Sequence, residues 1–246
     1  MRVGLFVTCV IDLAYPGVGQ ATVELLRRLG VEVVFPEGQG CCGQMHVNSG
    51  HATMAAPMVR SFVDSFAGCD VVVAPSGSCV GSIRHQHEMV ARMTGDAKLL
   101  SDVEKMTPRV RELSEFLVYD LGIEDVGATF EHRVAYHPSC HSLRVARVGD
   151  APLRLLANVR GLELVKQRDR DGCCGFGGTF ALKNSDTSTA MMADKLDAFE
   201  EVDAEYVTSL DTSCLMHLAG GVAKRGAEAG PPMLHLAEIL VRTAKR

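Results

Sequence analysis

Eight of the nine cysteines in this chain fall into two matching sets: Cys9, Cys41, Cys42 and Cys79, then Cys140, Cys173, Cys174 and Cys214. Each set contains an adjacent pair within the tetrapeptide Gly-Cys-Cys-Gly, at 40–43 and again at 172–175, and the spacing within the two sets is nearly the same. Sulfur donors without accompanying carboxylates select zinc, copper(I) or iron–sulfur clusters and disfavour magnesium or calcium. Four per half would satisfy either a tetrahedral zinc ion or a four-iron cluster. The doublet favours the cluster: structural zinc hooks space their cysteines by about two to four residues, and adjacent thiols are easier to use when several metal atoms are present. Zinc remains open. Thiol–disulfide exchange, which needs an accessible thiol of low pKa and a resolving partner, is the weaker reading.

For residues so far apart to share a site, the chain must bring them together. Arg2 to Thr8, Val31 to Phe35 and Val71 to Ala74 are short, valine-rich runs separated by longer amphipathic segments, a strand and helix rhythm. Leu25, Leu26 and Leu29 make a helical stripe stopped by Gly30; Met54, Met58, Phe62 and Phe66 make another stopped by Gly68, read as core packing. The second half repeats the rhythm with strands at Val134 to Tyr136, Leu162 to Val165 and Tyr206 to Ser209, and helices near Pro152 to Val159 and Thr187 to Phe199. The expected fold class is α/β, with two pseudo-symmetric βαβ-type halves at 1–128 and 129–246. Their sheets would be parallel, with the cysteines at the carboxyl ends of the strands, where open parallel sheets gather ligands. Ser101 to Leu121 reads as a charged helix, Gly122 to Phe130 as the joint, and Leu234 to Thr243 as a closing helix. Gly43 and Gly175 would let the backbone turn with positive φ at each doublet.

Other residues carry less chemistry. His137 and His141 flank Cys140 and read as hydrogen-bonding groups around a site rather than ligands. His217 is a candidate for an additional ligand, because a helix opened by Cys214 would put both side chains on one face. Cys69 has no repeat partner and reads as filler. Gly175-Phe176-Gly177-Gly178 lacks the full spacing of a dinucleotide loop.

With 246 residues, 47% hydrophobic and 22% charged, the chain can bury a large core. A net charge of -5 without a basic stripe argues against nucleic acid as a main partner, and no stretch is apolar enough for a transmembrane segment. The apolar start before Cys9 reads as a buried strand rather than an export signal, because Arg133 to Cys140 repeats its outline inside the chain. A reducing, cytoplasmic location is therefore expected, where cysteines in register bind metal or do redox chemistry.

Taken together, the doublets, the single cysteine ahead of each, and the segments Pro75 to Gly81 and Ser213 to His217 resemble the cysteine-rich CCG-domain family over nearly the whole chain. Within it, the short two-repeat form is most similar to the A-type subunit of the lactate-utilisation subgroup. That resemblance implies an iron–sulfur electron-transfer subunit, not catalytic alone, which works beside the B-type and C-type subunits to oxidise L-lactate to pyruvate. It further implies that Cys9, Cys41, Cys42 and Cys79 bind one cluster, and that Cys140, Cys173, Cys174 and Cys214 bind another. Another member suggests an alternative, a disulfide reductase component resembling the B-type subunit of heterodisulfide reductase; a zinc-stabilised scaffold is a second alternative, which the thiol set itself leaves open. Where the fullest family pattern has Cys-x-x-Cys, this chain pairs Cys79 with Ser82 or Ser76, and Cys214 with His217 or Asp211. Four cysteines per half favour an ordinary [4Fe–4S] cube, one or two per chain, with zinc at one site as the variant, and with His217 or Ser82 as additional ligand candidates.

Overall fold

The computed structural model describes residues 1–226 and 230–243 and contains two four-stranded, all-parallel sheets. The first comprises β1 (Val3–Leu5), β2 (Val33–Val34), β3 (Val71–Ala74) and β4 (Val110–Glu112) in the order β2-β1-β3-β4. The second comprises β5 (Arg133–His137), β6 (Glu163–Val165), β7 (Tyr206–Ser209) and β8 (Met233–His235) in the order β6-β5-β7-β8, the same topology. Val3 pairs with Val71 as Val134 pairs with Tyr206, so the repeat read from the cysteines is also a repeat of strand register.

Helices connect the strands where the patterns place them. Pro16 opens Pro16–Arg28, its fixed φ suiting the first helical turn, and Gly30 at φ 78° ends the segment. Leu25 and Leu26 from this helix and Phe62 and Phe66 from Ala56–Phe66 are fully or almost fully buried. Met54, expected in the core, is exposed instead, because the stripe breaks where a 3₁₀ turn at Ala52–Ala55 precedes the helix. A large apolar core runs from the first sheet through Phe116 and Phe130 to Leu155 and Leu236, and a smaller one lies around Phe199 and Leu218.

Both expected end helices need correction. Ser101 to Leu121 contains β4, and Leu234 to Thr243 begins within β8, with only Leu236–Leu240 helical. Each half thus has a fourth strand. Each of these strands is three residues long and paired on one side only, too short for a period of two to register. Each also passes straight into a helical turn through a capping box, Glu112 with Glu115 and His235 with Glu238, so the apolar residues behind it sustain a helical pattern.

The halves meet along the helix Gly77–Thr94 and the helical turn Ser142–Ala146. A side chain at Gly77 would overlap Ser142 Oγ and stand 2.7 Å from Ser142 Cβ, and one at Gly81 would lie 3.1 Å from the backbone nitrogen of Ala146. Glycine is required for that approach. Arg84 on the same helix clamps Glu115 at 2.8 and 3.1 Å and reaches the carbonyl of Ala146 across the joint at 3.2 Å. Among the described residues, no helix is long and apolar enough to cross a membrane.

Candidate metal centres

In each sheet the strand order reverses between the first strand and the third, and crevices for ligands form at such reversals beyond the carboxyl ends of the strands. Cys9 opens the helix Cys9–Ala14 after β1, and Cys79 lies in the first turn of Gly77–Thr94 after β3. The loop after β2 brings in Cys41 and Cys42. In the second half, Cys140 follows β5, Cys173 and Cys174 follow β6, and Cys214 lies in the first turn of Thr212–Arg225 after β7.

The structure brings both sets together. Cys9 Sγ is 3.8 Å from Cys41 Sγ, and Cys42 Sγ is 3.5 Å from Cys79 Sγ. Contact between Cys41 and Cys42 closes a chain of four thiols, and the same order of contacts links Cys140, Cys173, Cys174 and Cys214. All eight are free thiols: Cys42, Cys79, Cys174 and Cys214 are buried, Cys41, Cys140 and Cys173 half-buried, and Cys9 exposed. Both chains line one cavity of about 110 Å³ between the halves, with Ser76, Ser139 and Asp211 in its wall.

Each doublet is built to hold a thiolate. The Gly43 amide lies 3.4 Å from Cys41 Sγ and the Gly175 amide 3.4 Å from Cys173 Sγ, with both glycines in the left-handed region at φ 83° and 88°. Hydrogen bonds from Cys42 and Cys9 hold the Cys41 thiol well below its ordinary pKa, and bonds from Cys140 and Cys174 do the same for Cys173. The donating thiols Cys9, Cys42, Cys140 and Cys174 are pushed up by those same bonds and by burial. One thiolate flanked by protonated neighbours is what a metal-free cluster of thiols does with its charge; a cation would release the remaining protons.

Four histidines separate in role. His87 donates from Nε2 to the Cys42 carbonyl at 2.9 Å, and burial depresses its pKa to about 4, so a neutral ring holds the first doublet's backbone. In the second half Ser188 Oγ donates to the Gly175 carbonyl at 2.8 Å, and His217 Nε2 lies 3.2 Å from that hydroxyl. His217 thus supports the second doublet through Ser188, and its ring lies tilted to Phe176 with centroids 5.9 Å apart. His137 is fully buried, and among the described residues neither ring nitrogen has a hydrogen-bond partner. A ring nitrogen of His137 and the sulfurs of Cys174 and Cys214 all lie within 4.8 Å of one another. His141 lies beside Cys140, with Nδ1 3.5 Å from its sulfur. Ser82 donates to Gln86 at 2.7 Å, and Cys69 packs against Gly4 at the edge of the first core.

The positions where the fuller family pattern has a further cysteine, Ser76 and Asp211, meet each other. Asp211 accepts from Ser76 Oγ at 3.0 Å, from Ser78 N at 2.9 Å, from Ser78 Oγ at 2.6 Å and from Ser142 Oγ at 2.9 Å, as well as from Ser139 Oγ. Burial alone would raise its pKa, but the bonds from Ser139, Ser78 and Ser142 outweigh it and hold the carboxylate below its ordinary value. The buried charge is therefore satisfied, and it draws on both halves at once.

The model of the family described as "Cysteine-rich domain" (CCG) matches residues 3–84 and 134–219. The chain is 44% identical over 240 residues to "Lactate utilization protein A" of Geobacillus kaustophilus, covering 98% of each chain. To the protein of the same name from Bacillus subtilis it is 40% identical, covering 98% of this chain and 99% of the relative. A solved structure described as a hypothetical protein from Helicobacter pylori aligns with a TM-score of 0.67 at 10% identity, which is likeness of fold alone. This chain is wholly covered and spans 49% of that one.

Proposed function

The chain belongs to the cysteine-rich CCG-domain family, and from that premise we propose that it is an iron–sulfur electron-transfer subunit of a lactate-utilisation system, located in the cytoplasm. In this reading, electrons from the oxidation of L-lactate to pyruvate reach it from a partner subunit and pass to an acceptor, with B-type and C-type subunits completing the system. The observation that carries the proposal is the pair of four-thiol chains, free of disulfides, facing one another across a single joint. The donor set fits: sulfur predominates, the amide groups of Gly43 and Gly175 point at sulfur, and the glycine geometry leaves room at each doublet.

Cys9, Cys41, Cys42 and Cys79 would hold one [4Fe–4S] cluster, and Cys140, Cys173, Cys174 and Cys214 the other. When bound, such a cluster supplies one-electron redox chemistry. The chain's own residues fix the thiolates, exclude water from Cys42, Cys79, Cys174 and Cys214, and donate amide hydrogen bonds to Cys41 and Cys173. The cavity of about 110 Å³ favours this role over a disulfide reductase, since substrate pockets typically run to roughly 300–1,000 Å³.

Anaerobic purification with iron and sulfide counts tests the reading. The parent chain is expected to carry both elements, with C41A/C42A and C173A/C174A each removing about half and neither protein oxidising L-lactate alone. Zinc without iron or sulfide in both halves, or lactate turnover by the isolated chain, would sink it.

A further inference from the structure

The two thiol chains stand on different floors. Position matching between the halves is set by the doublet glycines: a side chain at Gly43 would meet Ala55 and Met58, and one at Gly175 would meet Ser188 and Met191. The same register pairs Phe66 with Phe199 and Phe62 with Lys195, and the strand register pairs Phe6 with His137. Beneath the first thiol chain, Phe6 stands edge-on to Phe62 at 5.2 Å and to Phe66 at 5.8 Å, an apolar floor. Beneath the second there is an imidazole.

His137 ends β5 with no solvent exposure and no hydrogen bond from either nitrogen among the described residues. A buried polar group left unpaired is unfavourable, so it implies an absent partner. The position of that partner is confined. A ring nitrogen of His137 lies within 4.8 Å of the sulfurs of Cys174 and Cys214, without bonding either of them. Atoms too far apart to hydrogen-bond yet this close are spaced to share an ion, given metal–sulfur bonds of about 2.3 Å and metal–nitrogen bonds of about 2.0–2.1 Å.

We propose that His137 is a metal ligand, joining Cys174 and Cys214 to make the second centre a mixed nitrogen and sulfur site, while the first is thiolate-only. The proposal rests on the reading that the cysteine sets hold metal. Cys173, in contact with Cys174, is available for a further position. Binding displaces a proton from each coordinating thiol to solvent, and the neutral imidazole contributes a lone pair, so no oxidant or reductant is needed. The donors take zinc or the iron of a cluster and not magnesium or calcium. In a four-ligand cluster His137 would stand in the place given above to Cys140, and one imidazole in place of a thiolate would remove negative charge and raise the potential.

Cobalt(II) and zinc alone serve as probes in the full-length, reduced, metal-free chain carrying C41A/C42A, so that only the second centre binds. One equivalent of cobalt(II) is expected, with tetrahedral d–d absorption, and zinc X-ray absorption should show imidazole scattering beside sulfur. H137F, which installs the residue of the first half, should lose the imidazole scattering and bind at least tenfold more weakly, whereas H51A, at an exposed histidine outside both thiol sets, should match its parent. A thermal melt of each metal-free variant guards against misfolding, with H137N as the second substitution. No stoichiometric binding in the C41A/C42A chain, a sulfur-only shell, or imidazole scattering that persists in H137F would overturn the proposal. Iron plays no part in this experiment, so failure of the iron–sulfur reading and failure of the ligand assignment give separate results.

Discussion

The first and second centres share their thiol order, their left-handed glycines and their sheet topology, yet Phe6 and Phe62 lie beneath one while His137 and Lys195 occupy the matching places beneath the other. Lys195 is buried, donates to the carbonyls of Asp169 and Arg170, and is held below its ordinary pKa by that burial. Backbone geometry has fixed the donors twice, and the side chains at these matching places have diverged from aromatic to polar. Such surroundings orient ligands and tune a metal's properties. The contrast teaches that a duplicated binding motif need not be a duplicated function.

The joint is the place where the comparison is most easily broken, because Asp211 satisfies hydroxyls from both halves while its counterpart Ser76 contributes one of the bonds. D211A strips the partner from four hydroxyls and one amide in a buried setting. Denaturant unfolding should show a loss of about 3–5 kcal/mol, in the range for breaking a buried charge network. S76A should lose only about 1 kcal/mol, the usual net value of one hydrogen bond. Equal losses would show that the two positions carry the joint equally, and that the asymmetry is superficial.

Much of this was legible from the cysteines alone. Their repeated spacing announced two halves, and the valine runs at Val71 to Ala74 and Tyr206 to Ser209 marked the central strands. β4 and β8 were hidden because three residues carry no period; Pro108 just before β4 and Pro231-Pro232 just before β8 were the available signals of a helix break. His137 was visible as a histidine near Cys140, but its isolation from any partner depends on burial. Aligning it against Phe6 was the clue within reach. The roles of His87 and Ser188 depend on which carbonyls their helices deliver them to, which sequence spacing does not encode.

A smaller effect sharpens the same contrast at the helices that carry Cys79 and Cys214. The first begins with Gly77 and the second with Thr212. G77A would drive a methyl group into Ser142, and overpacking of this kind is unfavourable by about 1–3 kcal/mol. T212A removes atoms without forcing a clash and should change stability by less than G77A in the same denaturation experiment. If the two substitutions proved equally mild, the close approach of Gly77–Thr94 to Ser142–Ala146 would not be a constraint peculiar to the first half.

The last contrast is in how stability depends on pH. Glu112 and His235 end β4 and β8 and cap the following turns, with Glu112 accepting from Ser114 N at 2.7 Å and His235 Nδ1 accepting from Ala237 N at 3.1 Å. Burial pushes Glu112 up to about 8 from 4.5, so the folded protein holds a proton there that the unfolded chain has released. Its stabilising contribution is therefore full below about pH 4.5 and is lost as pH rises through 8. Burial lowers His235 from 6.5 to about 4, with the opposite sign: its contribution is present above pH 6.5 and is lost as pH falls toward 4. From pH 4.5 to 6.5 the two slopes oppose each other, and above 6.5 only Glu112 remains. Urea unfolding of the parent and E112Q across that range should show the parent losing stability relative to the variant by up to about 1.4 kcal/mol per pH unit. H235N should leave this window unchanged and, between pH 4.5 and 6.5, remove the opposing slope so that the fall with rising pH due to Glu112 is unmasked. A parent and E112Q that run parallel above pH 6.5 would place a charged carboxylate at Glu112 and remove this difference between the caps.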